Sequence, residues 1–325
     1  MTALMQRKNV VALSGGIGGA KLALGLSQVV EPRHLVVVVN TGDDFEHLGL
    51  SISPDLDTLL YTLAGIANPE TGWGRHDESW RFMAALGELG GETWFKLGDT
   101  DLATNVERTR RLKRGDTLSA ITADFCVRLG VGARILPMSD DLVRTRVRTA
   151  TGWLDFQDYF VRLRCEPKVE GFAFDGADRA QAQPEFLALL RDPALRAVVI
   201  CPSNPFISID PILALPGVVD ALAECSAPVV AVSPIVGGRA VKGPTAKMMR
   251  ELGHDVSAEA VAARYRAFLD GCVIDASDRA APSLERIRVL SANTLMHTLE
   301  DSTRLAREVL AFADALSATS SQKVG

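Results

Sequence analysis

The sequence predicts an α/β fold: a Rossmann-like, mainly parallel sheet with helices on both faces, plus a smaller β-rich insertion. Three observations lead there. An apolar strand at residues 10–13 runs into a glycine-rich turn and then into apolar residues at helical spacing. A second run, Leu35-Val36-Val37-Val38-Val39, is uninterrupted and β-branched, as a parallel strand buried on both faces requires. The same rhythm returns after residue 190, with apolar strands at 196–201 and 228–233. The expected organisation is an α/β core made of residues 1–132 and 190–316, an insertion or lid at 133–189, and a flexible tail at 317–325.

A chain of 325 residues can bury a large core. Its net charge of −5 argues against nucleic acid as a partner, because nucleic-acid binders carry a basic domain. Cys126, Cys165, Cys201, Cys225 and Cys272 lie far apart with no Cys-x-x-Cys pair, the usage of a reduced, cytoplasmic protein. No apolar run approaches the ~20 residues that span a bilayer. The segment before residue 10 lacks a signal-peptide pattern. A cytoplasmic protein with no membrane partner is expected.

The first strand, Val10-Val11-Ala12-Leu13, leads into Ser14-Gly15-Gly16-Ile17-Gly18-Gly19-Ala20-Lys21. Glycines there let the main chain turn tightly, and the helix start behind them offers unpaired N–H groups to an anion such as phosphate. Gly15, Gly16, Gly18, Gly19, Ala20 and Lys21 are therefore candidate phosphate contacts. The dinucleotide fingerprint fails, since Lys21 stands where G-x-G-x-x-G needs its last glycine. The P-loop pattern fails as well, at Ala20 and Leu22. The competing reading is a glycine turn required only for close packing.

The second strand ends in Asn40-Thr41-Gly42-Asp43-Asp44, and ligands of open α/β sheets bind at the carboxyl ends of strands. Next, Ser53 reads as an N-cap and Pro54 as the first residue of a helix carrying Asp55 and Asp57 in its first turn. Acids there offset the helix dipole. Four carboxylates beside a phosphate turn also suit Mg²⁺, which one or two carboxylates typically hold together with substrate phosphate oxygens.

Trp73 to His76 reads as a loop before a helix near 78–89, and residues 93–97 as a short strand ending in Gly98-Asp99-Thr100-Asp101. In the helix that follows, Leu102, Val106 and Leu112 face inward, while Arg108, Arg110, Arg111 and Arg114 form a solvated face. Alternation at 144–149, a Thr151-Gly152 turn, and strands at 154–157 and 159–164 make up the insertion. Beyond the strand at 196–201, Pro202-Ser203-Asn204-Pro205 falls on the same sheet edge as the glycine turn. The loop after 228–233 brings Arg239 and Lys242 in front of the next helix. Two further strands, at 272–275 and 287–290, and a helix from about 301 to 316 complete the chain.

These motifs, in this order, resemble the 2-phospho-L-lactate transferases of coenzyme F-420 biosynthesis, the CofD or FbiA type. The resemblance covers nearly the whole chain. It rests on Ser14 to Lys21, Asn40 to Asp44, Pro54-Asp55-Leu56-Asp57-Thr58, Leu97 to Thr104, Pro202 to Pro205 with Ser208-Ile209, Ser233 to Gly238, and Lys242-Gly243. It implies a Mg²⁺-dependent transferase, usually a homodimer. The phospho-acid would pass from a guanosine diphosphate ester to the ribityl hydroxyl of the deazaflavin Fo, with release of GMP. Lactate, enolpyruvate and phosphoglycerate are all possible acids. On this reading Asp43, Asp44 and Asp57 carry the catalysis, with Asp44 and Asp57 as metal ligands and Asp43 or Asp55 as their replacements. Gly15 to Lys21, Ser203, Asn204, Lys242 and Gly243 bind nucleotide and phosphate. Asp99, Asp101 and Thr104 line the deazaflavin pocket. The rival is a non-catalytic regulator of the gluconeogenesis-factor type, which binds nucleotide sugars on a similar glycine turn.

Overall fold

The computed structural model describes residues 8–278 and 286–321. Strand β1 (Asn9–Ser14) turns directly into helix α1 (Gly16–Val29) and returns as β2 (Leu35–Val39). β1 and β2 pair in parallel, Val11 against Val36 and Leu13 against Val38, and every β2 residue is buried. A hairpin of β3 (Phe45–His47) and β4 (Leu50–Ile52) follows. Helices α2 (Pro54–Leu63), α3 (Arg81–Glu88), α4 (Asp99–Leu112) and α5 (Leu118–Arg128) then lead to β5 (Arg134–Pro137).

β5 pairs in parallel with β2 and forms one edge of the main sheet. The insertion expected from residue 133 thus starts after β5. It contains β6 (Arg144–Thr149), β7 (Gly152–Asp155) and β8 (Gly171–Asp175), an antiparallel sheet with β6 in the middle. Its segment Asp158–Arg162 is a π-helical turn, not the expected strand. Among the described residues no strand pairs with it, and the Leu163 N–H bonds back to the Asp158 carbonyl at 2.8 Å. Val147, Phe156 and Tyr159 of the insertion are buried in the same apolar layer as Val11 and Leu13 of β1. The insertion is therefore fused to the core.

The main sheet continues with β9 (Leu195–Ile200) and β10 (Val229–Val232). A small hairpin of β11 (Ile235–Val236) and β12 (Arg239–Ala240) precedes β13 (Gly271–Asp275) and β14 (Arg288–Ala292). The order β14-β13-β10-β9-β1-β2-β5 is parallel throughout. From β1 the chain builds toward β5, then crosses back to β9 and builds the other way. The switch point lies between the carboxyl ends of β1 and β9, the place where such sheets bind ligands.

Alternate residues of the central strands feed the two faces. Val10 and Ala12 join Leu22 and Leu26 of α1, and Leu305 and Val309 of the C-terminal helix, in the second apolar layer. That helix, Leu299–Ser321, crosses α1 so closely that a Cβ on Gly25 would stand 2.0 Å from the Ser302 carbonyl oxygen. It also extends past the expected end at 316. Residues 317–321 of the expected tail are helical, and 322–325 lie outside the described residues.

Residues 93–97 form no strand. Trp94 and Phe95 instead pack their rings on Phe45 and His47, with Phe45 and Phe95 edge-to-face at 4.8 Å. Among the described residues, no helix is long and apolar enough to cross a membrane. All five cysteines are free thiols.

Candidate active site

A cavity of about 680 Å³ opens at the β1/β9 switch point. The glycine turn forms its floor. Gly16 adopts φ +65°, a left-handed conformation that glycine takes without strain. The other glycines answer to packing. A Cβ on Gly15 would stand 2.6 Å from Asp55 Oδ2, and one on Gly18 would stand 2.5 Å from the Pro202 carbonyl oxygen. One on Gly19 would meet the Ser14 and Ser203 hydroxyls. The prolyl loop after β9 therefore lies directly against the turn, the close packing that the competing reading of these glycines requires.

Two of the N–H groups that could meet an anion already have partners. Gly16 N–H donates to Asp55 Oδ1 at 2.7 Å, and Gly15 N–H donates to Ser203 Oγ at 3.1 Å. The anion facing the start of α1 is thus the Asp55 carboxylate. Lys21 lines the cavity, and its ammonium donates to the Met296 carbonyl at 2.7 Å. Burial, together with the charge of Lys242, holds Lys21 below the usual lysine range. Lys242 and Gly243 line the same cavity.

The acids separate into two groups. In the first, Asn40 at the end of β2 is the hub. Its amide donates to Asp55 Oδ2 at 3.0 Å and to Asp43 Oδ1 at 3.3 Å, and its Oδ1 accepts from Gly42 N–H. Burial and the neighbouring Asp55 and Asp44 charges push the Asp43 carboxyl well above the ordinary range. Burial pushes Asp55 up to about 6, against the opposing hydrogen bonds from Asn40 and Gly16. Burial likewise pushes Asp44 up to about 7, although Arg144 and the Ser53 hydroxyl oppose it. Ser53 makes no side-chain cap bond to α2 and instead donates to Asp44 Oδ2 at 2.7 Å. Asp44 Oδ1 is buried without a hydrogen-bond partner, a costly condition for a carboxylate oxygen.

In the second group, Asp57 is closed by Arg108. The two guanidinium Nη atoms reach both Asp57 oxygens, and Arg108 also donates to Asn105 Oδ1 at 2.8 Å. Arg108 is only 2% exposed, so the expected outward arginine is in fact the internal counter-ion of the site. The reason is geometric: α4 packs on β4, which turns that position inward toward Asp57 of α2. Asp57 therefore gives way as a metal ligand, because its oxygens are already neutralised. Of the four carboxylates, Asp43, Asp44 and Asp55 are the ones without an internal cation bonded to them.

Of the three residues expected around the deazaflavin, only Asp101 lines the cavity. Its Oδ1 accepts from the fully buried Tyr61 hydroxyl at 2.7 Å, and burial pushes its carboxyl up to about 7. Asp99 instead accepts from the Ser79 hydroxyl and the Phe82 N–H, away from the cavity. Thr104 stands behind the wall, within reach of Tyr61. Ser203 and Asn204 do line the cavity, with Asn204 Oδ1 accepting from Phe206 N–H at 3.0 Å.

Asn40 enters the sequence analysis only as the start of the strand-end motif, and Tyr61, Gln157 and an aromatic wall of Trp94, Phe95, Phe156 and Phe160 have no role there. Phe156 and Phe160 stack at 5.2 Å. Gln157 Nε2 donates to the Asp43 carbonyl at 3.0 Å, and Thr145 N–H donates to that of Gly42, so the insertion braces the acid loop. Asn40 had a local signal, an amide side chain opening a strand-end Thr-Gly-Asp-Asp. The aromatic wall had none, because its members come from separate segments.

Among the described residues, no group of three or more His, Cys, Asp or Glu side chains is arranged to hold a metal unaided. Asp44 does not line the cavity and its unpartnered oxygen is buried, so the carboxyls without a bonded cation that could share a hard cation with substrate there are Asp43 and Asp55.

Comparison with known proteins agrees with this architecture. The family described as 2-phospho-L-lactate transferase CofD matches residues 10–313. A phosphoenolpyruvate transferase from Kitasatospora aureofaciens is 42% identical over 315 residues, covering 94% of this chain and 98% of its own. One from Streptomyces griseus is 40% identical over 314 residues, with the same coverage. One from Mycobacterium tuberculosis is 38% identical over 313 residues, covering 88% and 93%. A crystal structure of a UPF0052-family protein from Bacillus halodurans superimposes with a TM-score of 0.58 at 15% identity, over 94% of this chain and 99% of that one, a likeness of fold.

Proposed function

The chain belongs to the 2-phospho-L-lactate transferase CofD family, and from that premise we propose that it moves a phosphoenolpyruvyl group from a guanosine diphosphate ester to the ribityl hydroxyl of Fo, releasing GMP. The choice of enolpyruvate over lactate or phosphoglycerate follows the names of its relatives. The observation that carries the reading is the cavity itself. It sets the cations Lys21 and Lys242 and the buried acids Asp43 and Asp55 around one space, with an aromatic wall alongside.

In this reading Lys21 and Lys242 hold the diphosphate above the glycine turn, while Ser203 and Asn204 lie toward the guanosine. The flat deazaflavin rests on Trp94, Phe95, Phe156 and Phe160, since aromatic faces favour stacked and offset partners. Its ribityl hydroxyl oxygen attacks the distal phosphorus as the bond to the GMP oxygen breaks, and the proton passes to Asp43. Asp43 suits that role because burial and its acidic neighbours raise its basicity. Mg²⁺ held by Asp55 on the cavity wall, with Asp44 buried off the cavity, would supply charge neutralisation for the diphosphate. The remainder of the rate comes from positioning and preorganised charge. The protein is expected to act in the cytoplasm as a homodimer, which sedimentation would read.

Incubation of purified protein with Fo and each of the three candidate donors, with and without Mg²⁺, tests the proposal by mass spectrometry of the product. A new phosphodiester and GMP in equal amounts are expected with Mg²⁺ present. Tight binding of a UDP-sugar with no Fo binding and no turnover would replace the transferase with the regulator.

A further inference from the structure

The insertion carries six arginines, and five have partners. Arg146 pairs with Asp155 and Asp175, Arg162 with Asp158 and Glu92, and Arg179 with Asp178. Arg144 donates to the Val143 carbonyl and Arg148 to that of Glu170. Arg164 differs. Among the described residues its guanidinium makes no hydrogen bond or ion pair, and the residue lines the cavity.

The backbone beneath it is also unusual. Arg164 has φ 50° and Cys165 φ 58°, two successive left-handed residues that are not glycine. They end the helical turn at Asp158–Arg162, where Cys165 N–H closes on the Tyr159 carbonyl at 2.9 Å. Helix ends of this kind normally use glycine, because a Cβ is strained in that conformation. Glycine would terminate the turn at lower cost, so an arginine at this position is not accounted for by the fold. Its side chain stands on the rim of the cavity beside Phe160, Gly243 and Pro244, next to the loop that carries Lys242.

We propose that Arg164 is a specificity-determining residue: its guanidinium takes the carboxylate of the three-carbon acid carried by the donor. This rests on the transferase reading above and names the group that recognises the acid. The lysines offer point charges suited to a diphosphate, whereas the planar guanidinium fork matches a carboxylate bidentately.

The test compares wild type with Arg164→Gly and Arg164→Gln. GDP carries the diphosphate without the carboxylate, so its Kd separates the two anions. Both variants are expected to bind GDP within about twofold of wild type, to raise the donor KM about tenfold or more, and to leave kcat within about threefold. Arg164→Gly is expected to melt no lower than wild type, since it relieves a left-handed residue. An unchanged donor KM overturns the proposal. GDP binding weakened as much as the donor KM also overturns it, by assigning Arg164 to the diphosphate. A lowered Tm in both variants does so too, by making the side chain structural. Wild type that fails to turn over any donor strikes the transferase reading instead.

Discussion

Asp57 and Asp44 are both buried at the carboxyl end of the sheet, yet their charges are met differently. The Arg108 guanidinium closes Asp57 from within, while Asp44 keeps one oxygen on Ser53 and the other, among the described residues, without a partner. A carboxylate for which the chain supplies its own cation belongs to the scaffold. One left without a bonded cation, in a cluster with Asp43 and Asp55, answers its burial by holding its proton to higher pH. The same residue type in one short acid-rich stretch therefore does two kinds of work, and the partner decides which.

The largest expected effect tests the unneutralised group. Asp43→Asn should lower turnover by about 10²–10⁴-fold, the range for loss of a general base, while Tm stays level or rises because a buried charge is removed. A drop below tenfold, measured in a single-turnover assay, would take Asp43 out of the proton transfer. On the other side, Arg108→Met strands the Asp57 charge and should cost about 3–5 kcal/mol in urea unfolding. Adding Asp57→Asn should recover much of that loss. If the single variant unfolds like wild type, the pair is not the internal bridge described here.

Titration should separate the groups next. Asp44 and Asp55 have folded-state pKa values raised to about 7 and about 6, above the ordinary value near 4. The native state therefore holds more protons than the unfolded chain between those limits. Metal-free protein should lose stability as pH climbs from about 4 to 7, at up to roughly 1.4 kcal/mol per unit for each group. Mg²⁺ should reduce that loss. Stability rising over the same window would contradict the raised values. The smallest effect concerns Asp101, whose bonded partner is the neutral Tyr61 hydroxyl. Tyr61→Phe should cost about 1 kcal/mol, read as a small shift of the urea midpoint. A cost near that of Arg108→Met would show Tyr61 to be a second keystone of the wall.

Much of this was legible locally. The run Leu35 to Val39 could only be a doubly covered strand, and the glycine turn and Asp43-Asp44 had to fall at strand ends once the parallel sheet was inferred. Reading residues 159–164 as a strand failed because an apolar residue at every second position does not say whether a neighbouring strand exists, and of Tyr159, Val161 and Leu163 only Tyr159 is buried. Residues 93–97 failed for the same reason. Their aromatic rings found partners in Phe45 and His47, while their main chain found none.

The sequence by itself determined the sheet, its parallel sense, the strand edge at which the cavity opens and the family, because these depend on periodicity and on ordered motifs along the chain. Only the tertiary structure decided that Arg108 belongs to Asp57, that Asp55 faces the start of α1, and that Asp99 and Thr104 stand off the cavity. Charge pairing and burial depend on distance through space. Residues far apart in sequence become neighbours only when α2, α4 and the insertion pack onto the sheet.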